Sequence, residues 1–153
     1  MSGIGRHQAI ELRVSRDPRW PTSIEPVVGG VGLVDRVAAY ERDQGYEPAG
    51  DYGGLVPAHF RFGDLTTYFR GEERRQSPGP GRLWLLGCDC GEVGCWPLEA
   101  RVTVAGESVT WSEFRQPFRE AWSYEGFGPF VFHRPAYDDA VARAVAALDD
   151  GSA

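Results

Sequence analysis

The sequence contains no lysine and no asparagine, and all 16 of its basic residues are arginine. Such a bias follows from GC-rich coding. Against it the chain still keeps 8 Phe, 6 Tyr and 5 Trp, so these rings are read as needed, since large aromatics contribute heavily to core and contact energetics. No stretch approaches the roughly 18 uninterrupted apolar residues that a bilayer crossing requires. The opening residues Met1 to Gln8 also lack the apolar run of a secretory signal, so the expectation is a cytoplasmic chain with no membrane association. Three cysteines are too few and odd in number for a closed disulfide framework, which agrees with a reducing compartment. Basic residues number 16 against 22 acidic ones, and the resulting charge of -6 repels a phosphate backbone, so no nucleic-acid partner is expected. There is no G-x-S-x-G elbow, no H-E-x-x-H pair and no Walker loop, and with them go the enzyme classes those motifs mark.

What remains is the material of one globular domain, residues 1–153, with 42% hydrophobic and 25% charged residues. Ile10, Leu12 and Val14 alternate with polar neighbours and predict a strand. Asp17 to Pro26 carries Pro18, Pro21 and Pro26 and is read as irregular, with only Pro26 to Val28 reaching a sheet edge. Leu33, Val34, Val37 and Tyr40 recur at helical spacing ahead of Gly45 and predict a helix over 33–44. Leu65 to Phe69 suggests a short helical turn, and residues 71–82, made of Gly, Pro, Ser, Gln and charges, read as a flexible surface loop outside the core. Leu83 to Leu86 is an apolar run suited to a central strand. The alternation of Leu98 to Val104, broken at Gly106 and resumed at Val109 and Trp111, predicts a hairpin. A last strand at Phe130 to Phe132 and a helix over 135–148, with Tyr137, Val141, Ala144 and Leu148 on one stripe, complete the pattern. The order points to an α+β fold: a single antiparallel sheet of about four to five strands with two main helices.

Two segments invite chemistry. In Gly87-Cys88-Asp89-Cys90-Gly91-Glu92-Val93-Gly94-Cys95-Trp96-Pro97, three thiols fall within eight residues. Cys88, Cys90 and Cys95 would make three ligands of a tetrahedral zinc site, with His133 as the fourth, although C-x2-C spacing is absent; His59, Asp89 and Glu92 are further candidates. The same thiols suit reversible pairing, against which Asp89 and Glu92 act by raising a thiol pKa, and they equally suit small buried packing residues. The second segment interleaves rings and arginines: Trp111, Phe114, Arg115, Phe118, Arg119, Trp122, Tyr124 and Phe127. It reads either as a lid with arginine stems covering apolar sheet or as a partner-binding surface of the kind rich in Trp, Tyr and Arg. Gly29-Gly30-Val31-Gly32 ahead of a helix is a glycine turn with Asp35 where a dinucleotide loop has its third glycine. Any acid–base chemistry would draw on Glu113 and His133 with Asp51 or Asp64.

The segments Leu86 to Leu98, Val109 to Pro117, Phe127 to Phe132 and Tyr46 to Pro57 together resemble a group of small actinobacterial proteins, over roughly half of the chain. That resemblance implies no mechanism. More loosely, the cysteine turn followed by W-x-x-F and G-P-F-x-F is similar to bacterial proteins suspected to be immunity proteins of polymorphic toxins, whose first cysteine spacing is C-x-x-C where this chain has C-x-C. The expectation is a non-enzymatic protein-interaction domain, immunity-like in one version, with a small zinc-binding or thiol-redox protein as the alternative.

Overall fold

The computed structural model describes residues 7–59, 64–73, 77–89 and 96–151. The fold is α+β, with strands β1 (Ile10–Asp17), β2 (Trp20–Val28), β3 (Val31–Gly32), β4 (Tyr52–Gly53), β5 (Arg82–Cys88), β6 (Leu98–Ala105), β7 (Ser108–Arg115) and β8 (Phe130–His133). The helices are α1 (Leu33–Asp43), α2 (Leu65–Phe69) and α3 (Arg134–Gly151), and a 3₁₀ turn occupies Pro57–His59. All the strands pair antiparallel, in a three-stranded sheet β1-β2-β3 and a five-stranded sheet β4-β5-β6-β7-β8.

The β6–β7 hairpin forms where the alternation predicts it, with Ala105 opposite Ser108 and Gly106 at φ 58° in the first central turn position that a type II′ turn reserves for glycine. Strand β5 is buried at Leu83, Leu85 and Leu86, as a central strand should be. The helices also fall close to their expected spans. Tyr137, Val141 and Ala144 of α3 turn inward and are buried, and the Tyr137 ring packs against Trp111 and Phe132, whose own rings meet edge to face at 4.8 Å.

The main correction concerns β2, a nine-residue strand through a segment read as irregular. The Ile24 N–H and carbonyl both bond Leu55, so even-numbered residues of β2 present their backbone groups away from β1. Pro26 therefore lacks its N–H on the side where the neighbour is only the two-residue β3, and the β1 ladder through Ser23, Glu25 and Val27 stays intact. Pro21 lies beside the register shift between Ser15 and Asp17, where the ladder is already broken. The β1–β2 hairpin also ties the two sheets together. The Gln8 N–H donates to Val131 O of β8 at one end, and Ile24 pairs with Leu55 just past β4 at the other.

Of the expected loop at 71–82, residues 74–76 lie outside the described residues. At its described ends, Glu73 and Arg82 are buried, Arg82 begins β5, and the Gly81 carbonyl accepts the Val102 N–H. Burial of Arg82 is offset by the Glu113 carbonyl at 2.9 Å and by the buried Glu99 carboxylate at 3.9 Å.

Tyr137 joins three elements, since its hydroxyl accepts from Trp111 Nε1 on β7 at 3.1 Å and donates to the Phe69 carbonyl ending α2 at 2.5 Å. Tyr137→Phe keeps the ring but strands a buried indole N–H and a carbonyl. The expected loss is about 1–3 kcal/mol of unfolding free energy by urea titration, with little change in m-value.

Candidate functional site

The arginine and aromatic segment divides into an inner and an outer set. Trp111, Phe114, Tyr124 and Phe127, expected as partner-binding residues, lie in the core instead, none more than 7% exposed. The physical reason is a nest of edge-to-face rings: Phe127 meets Phe114 at 4.9 Å and Phe130 at 5.4 Å, so the return segment folds back over the sheet. Gly128 eases that approach, with φ 76°, which disfavours any side chain, and a position where a Cβ would stand a tight 3.0 Å from the Phe114 ring. Phe118 is 52% exposed, Arg115 and Arg119 also face solvent, and Trp122 is half-buried.

These outer residues form one edge of the molecule. Arg115, Gln116, Pro117, Arg119, Glu120 and Trp122 line a groove of about 440 Å³. The Arg119 guanidinium carbon sits 5.0 Å from the Trp96 ring centre and 5.9 Å from that of Trp122, within cation–π range of both. Trp122 in turn stacks on Tyr46 at 4.6 Å and 6°. Among the described residues no carboxylate lies within ion-pair distance of Arg119, so this cation is held in place by rings rather than by a counter-ion.

The groove stands on a buried polar network that no sequence pattern announced. Glu41 of α1 is fully buried, and its carboxylate accepts the Gly50 N–H at 2.8 Å, the Tyr52 hydroxyl at 2.7 Å and the Tyr124 hydroxyl at 2.5 Å. Gln116, also buried, donates to the Tyr52 oxygen at 3.0 Å and to the Pro97 carbonyl at 2.9 Å, while its own carbonyl accepts the Phe118 N–H. Trp96 Nε1 donates to the Gly50 carbonyl at 2.9 Å. The floor of the groove is thereby tied to α1, β4 and the segment just before β6. Burial and the neighbouring carboxylate push both tyrosine hydroxyls well above the ordinary tyrosine range, which keeps them as donors.

A second polar set lies across β5, β6 and β7. Arg115 and Glu99 pair at 2.6 Å and Arg101 and Glu113 at 3.1 Å, with buried Arg82 behind them. Glu113 adopts φ 50° at the β6–β7 register shift. Desolvation and the arginines beside it lower the Arg82 pKa.

Of the expected metal ligands, Cys88 and His133 are described, and they stand far apart. Cys88 ends β5 opposite Tyr52, whereas His133 ends β8 opposite Ser108, three strand positions away across the sheet and at its other end. Strands about 4.8 Å apart separate the two by well over the reach of one ion, so His133 is not a fourth ligand for a site built on Cys88. Cys90, Cys95 and Glu92 lie outside the described residues. Cys88 is buried and its thiol lies 3.5 Å from Asp89 Oδ1. Among the described residues no three His, Cys, Asp or Glu side chains converge as a ready metal site.

The acid–base candidates are likewise dispersed. Asp64 caps α2 by accepting the Thr66 N–H, Asp51 precedes β4, and Glu113 pairs with Arg101. The glycines at 29 and 30 make the β2–β3 turn, and the Glu25 carboxylate accepts the Val34 N–H at 3.0 Å, so a side chain of the protein occupies the start of α1 where a phosphate would lie. Among the described residues no helix is long and apolar enough to cross a membrane. Compared with family models, with curated proteins and with solved structures, the chain matches none.

Two outcomes follow from the buried network. Glu41→Ala strands two tyrosine hydroxyls and an amide, and is expected to cost more than Tyr137→Phe, about 3 kcal/mol or more, in the same urea titration. The raised pKa values of Tyr52, Tyr124, Tyr68 and Tyr137 mean that above the ordinary value of 10.0 the unfolded chain releases protons that the folded chain keeps. The stabilisation is full below that pH and falls as pH rises beyond it, by up to about 1.4 kcal/mol per pH unit for each tyrosine. Tyrosinate absorbance of these four should therefore appear with unfolding and not before it, and Tyr52→Phe should flatten the decline.

Proposed function

We propose that the chain is a non-enzymatic protein-interaction domain of the cytoplasm, and that the edge formed by Arg115, Phe118, Arg119 and Trp122 is its contact surface. The observation that carries this reading is Arg119, fixed against Trp96 and Trp122 with no carboxylate partner among the described residues, beside the exposed ring of Phe118. Arginine and tryptophan are the residues on which interface energy concentrates, and pre-ordered side chains lose little entropy on association. An immunity-type protein is one concrete version. Its overall charge of -6 would steer a basic toxin toward it, with the groove supplying the short-range contacts. Nucleic acid is not proposed as a partner.

The test places a photo-crosslinking residue at position 118 and, as a control, at Arg19, whose side chain is 82% exposed on the β1–β2 turn. The expected result is one crosslinked protein from position 118 in cells of the source organism and none from position 19. With that partner purified, Arg119→Glu is expected to weaken binding tenfold or more while lowering the thermal midpoint by only a few degrees, through loss of its exposed cation–π contacts. Identical crosslinks from both positions, or none from 118, would overturn the assignment of this edge.

A further inference from the structure

Within the three-stranded sheet β1 is an edge strand, paired with β2 alone. Ile24 commits its N–H and carbonyl to Leu55, away from β1, so its antiparallel partner Val14 also turns its backbone groups away from β2. The register is unbroken from Val14 back to Ile10, which gives Leu12 and Ile10 the same orientation. The N–H and carbonyl groups of these three residues therefore face outward at two-residue spacing. Among the described residues none of them has a hydrogen-bond partner. Gln8, next in the same row, donates its N–H to Val131 O, so this edge already pairs with extended backbone where one reaches it.

The row opens on a groove of about 470 Å³ between β1 and α3. Its strand wall is five consecutive residues, Ile10 to Val14, as a cleft along a strand's edge requires; a cleft over one face would meet alternate residues. Its helix wall is Ala136, Ala140 and Ala147 with the Asp139–Arg143 ion pair, 2.7 Å long. The Gln8 to Val131 bond bounds one end, and Arg16, donating to the Ala147 carbonyl, bounds the other. Neither proline nor bulge interrupts Ile10 to Ser15, and these are two of the devices that keep exposed edges from pairing.

We propose that this groove is a docking site for an extended peptide segment of a partner protein, which adds a strand to β1 with α3 beside it. An extended backbone is the occupant whose donors and acceptors repeat at the spacing of this row, about 6.8 Å. Cross-strand charge sets the sequence it takes. The exposed side chains of Glu11 and Arg13 call for a cation and an acid directly opposite them, with apolar residues opposite Ile10, Leu12 and Val14. The site shares no residue with the groove at Arg119 and does not rest on that assignment.

The test uses the full chain and a synthetic pentapeptide, Ile-Glu-Leu-Arg-Val, acetylated and amidated at its ends. Laid antiparallel on residues 10–14 about Leu12, it sets its glutamate opposite Arg13 and its arginine opposite Glu11. In a two-dimensional NMR titration the expected result is a saturable downfield shift of the Ile10, Leu12 and Val14 amide protons, with those of Glu11 and Arg13, which face β2, little changed. Methylating the nitrogen of the peptide's leucine, which faces β1, should weaken binding about tenfold or more, and methylating that of its arginine, which faces away, should not. Glu11→Arg, at an exposed position, should weaken binding about fivefold, and a peptide with glutamate in place of its arginine should restore it. Absence of binding, or binding indifferent to methylation of the leucine nitrogen, would overturn the site. Shifts confined to the Phe118 edge would overturn it too, while leaving the contact surface there in place. A chain that pairs with its own copy through β1 in sedimentation, without peptide, would make a second copy the occupant and overturn the peptide assignment.

Discussion

A fully buried carboxylate that must be given partners is the constraint on which the arrangement of this protein turns. Leaving Glu41 unsatisfied inside the core would cost far more than any one contact returns, so the chain has to deliver donors to it from elsewhere. They come from the Gly50 amide, from β4 through Tyr52 and from the return segment through Tyr124. Tyr52 then passes the constraint to Gln116, and Gln116 passes it to the backbone at Pro97 and Phe118. A helix, a sheet edge and two loops are thereby held to one another through side-chain hydrogen bonds, where apolar contact alone would allow sliding.

The same constraint positions the outer surface. With Phe118 N–H and Trp96 Nε1 both committed to the buried network, the groove that carries Arg119 has a rigid floor. Its cation is fixed by ring faces, and its neighbour Arg115 by Glu99. Acceptance of buried polar groups is thus converted into order at a surface, which is the condition for a binding edge to act without first paying for its own organisation.

Much of the architecture was readable from local pattern. Strand β1, the β6–β7 hairpin and helices α1 and α3 each repeat apolar residues at their own period over five or more positions, and period is set by backbone geometry alone. Strand β2 was not readable because its prolines argue against a strand until one knows which side of it lacks a full neighbour. Of the candidate site, residue types were visible and positions were not. Trp111 and Phe118 look alike in a list of exposed rings, yet one is wholly buried and the other is not. Glu41 and Gln116 carried no signal at all, since a glutamate on a helix and a glutamine before a proline are ordinarily solvated.

Composition and short-range order thus establish an acidic, all-arginine α+β chain with its principal hairpin and its two long helices, because those properties depend on neighbours a few residues apart. Long-range packing decided the rest: which rings of the arginine segment are core, where the buried carboxylate finds donors 83 positions away, and why His133 stands beside His7 and far from Cys88. The physical reason is that burial and hydrogen-bond satisfaction are conditions on the whole folded chain, and a local pattern holds no record of which distant residue meets them.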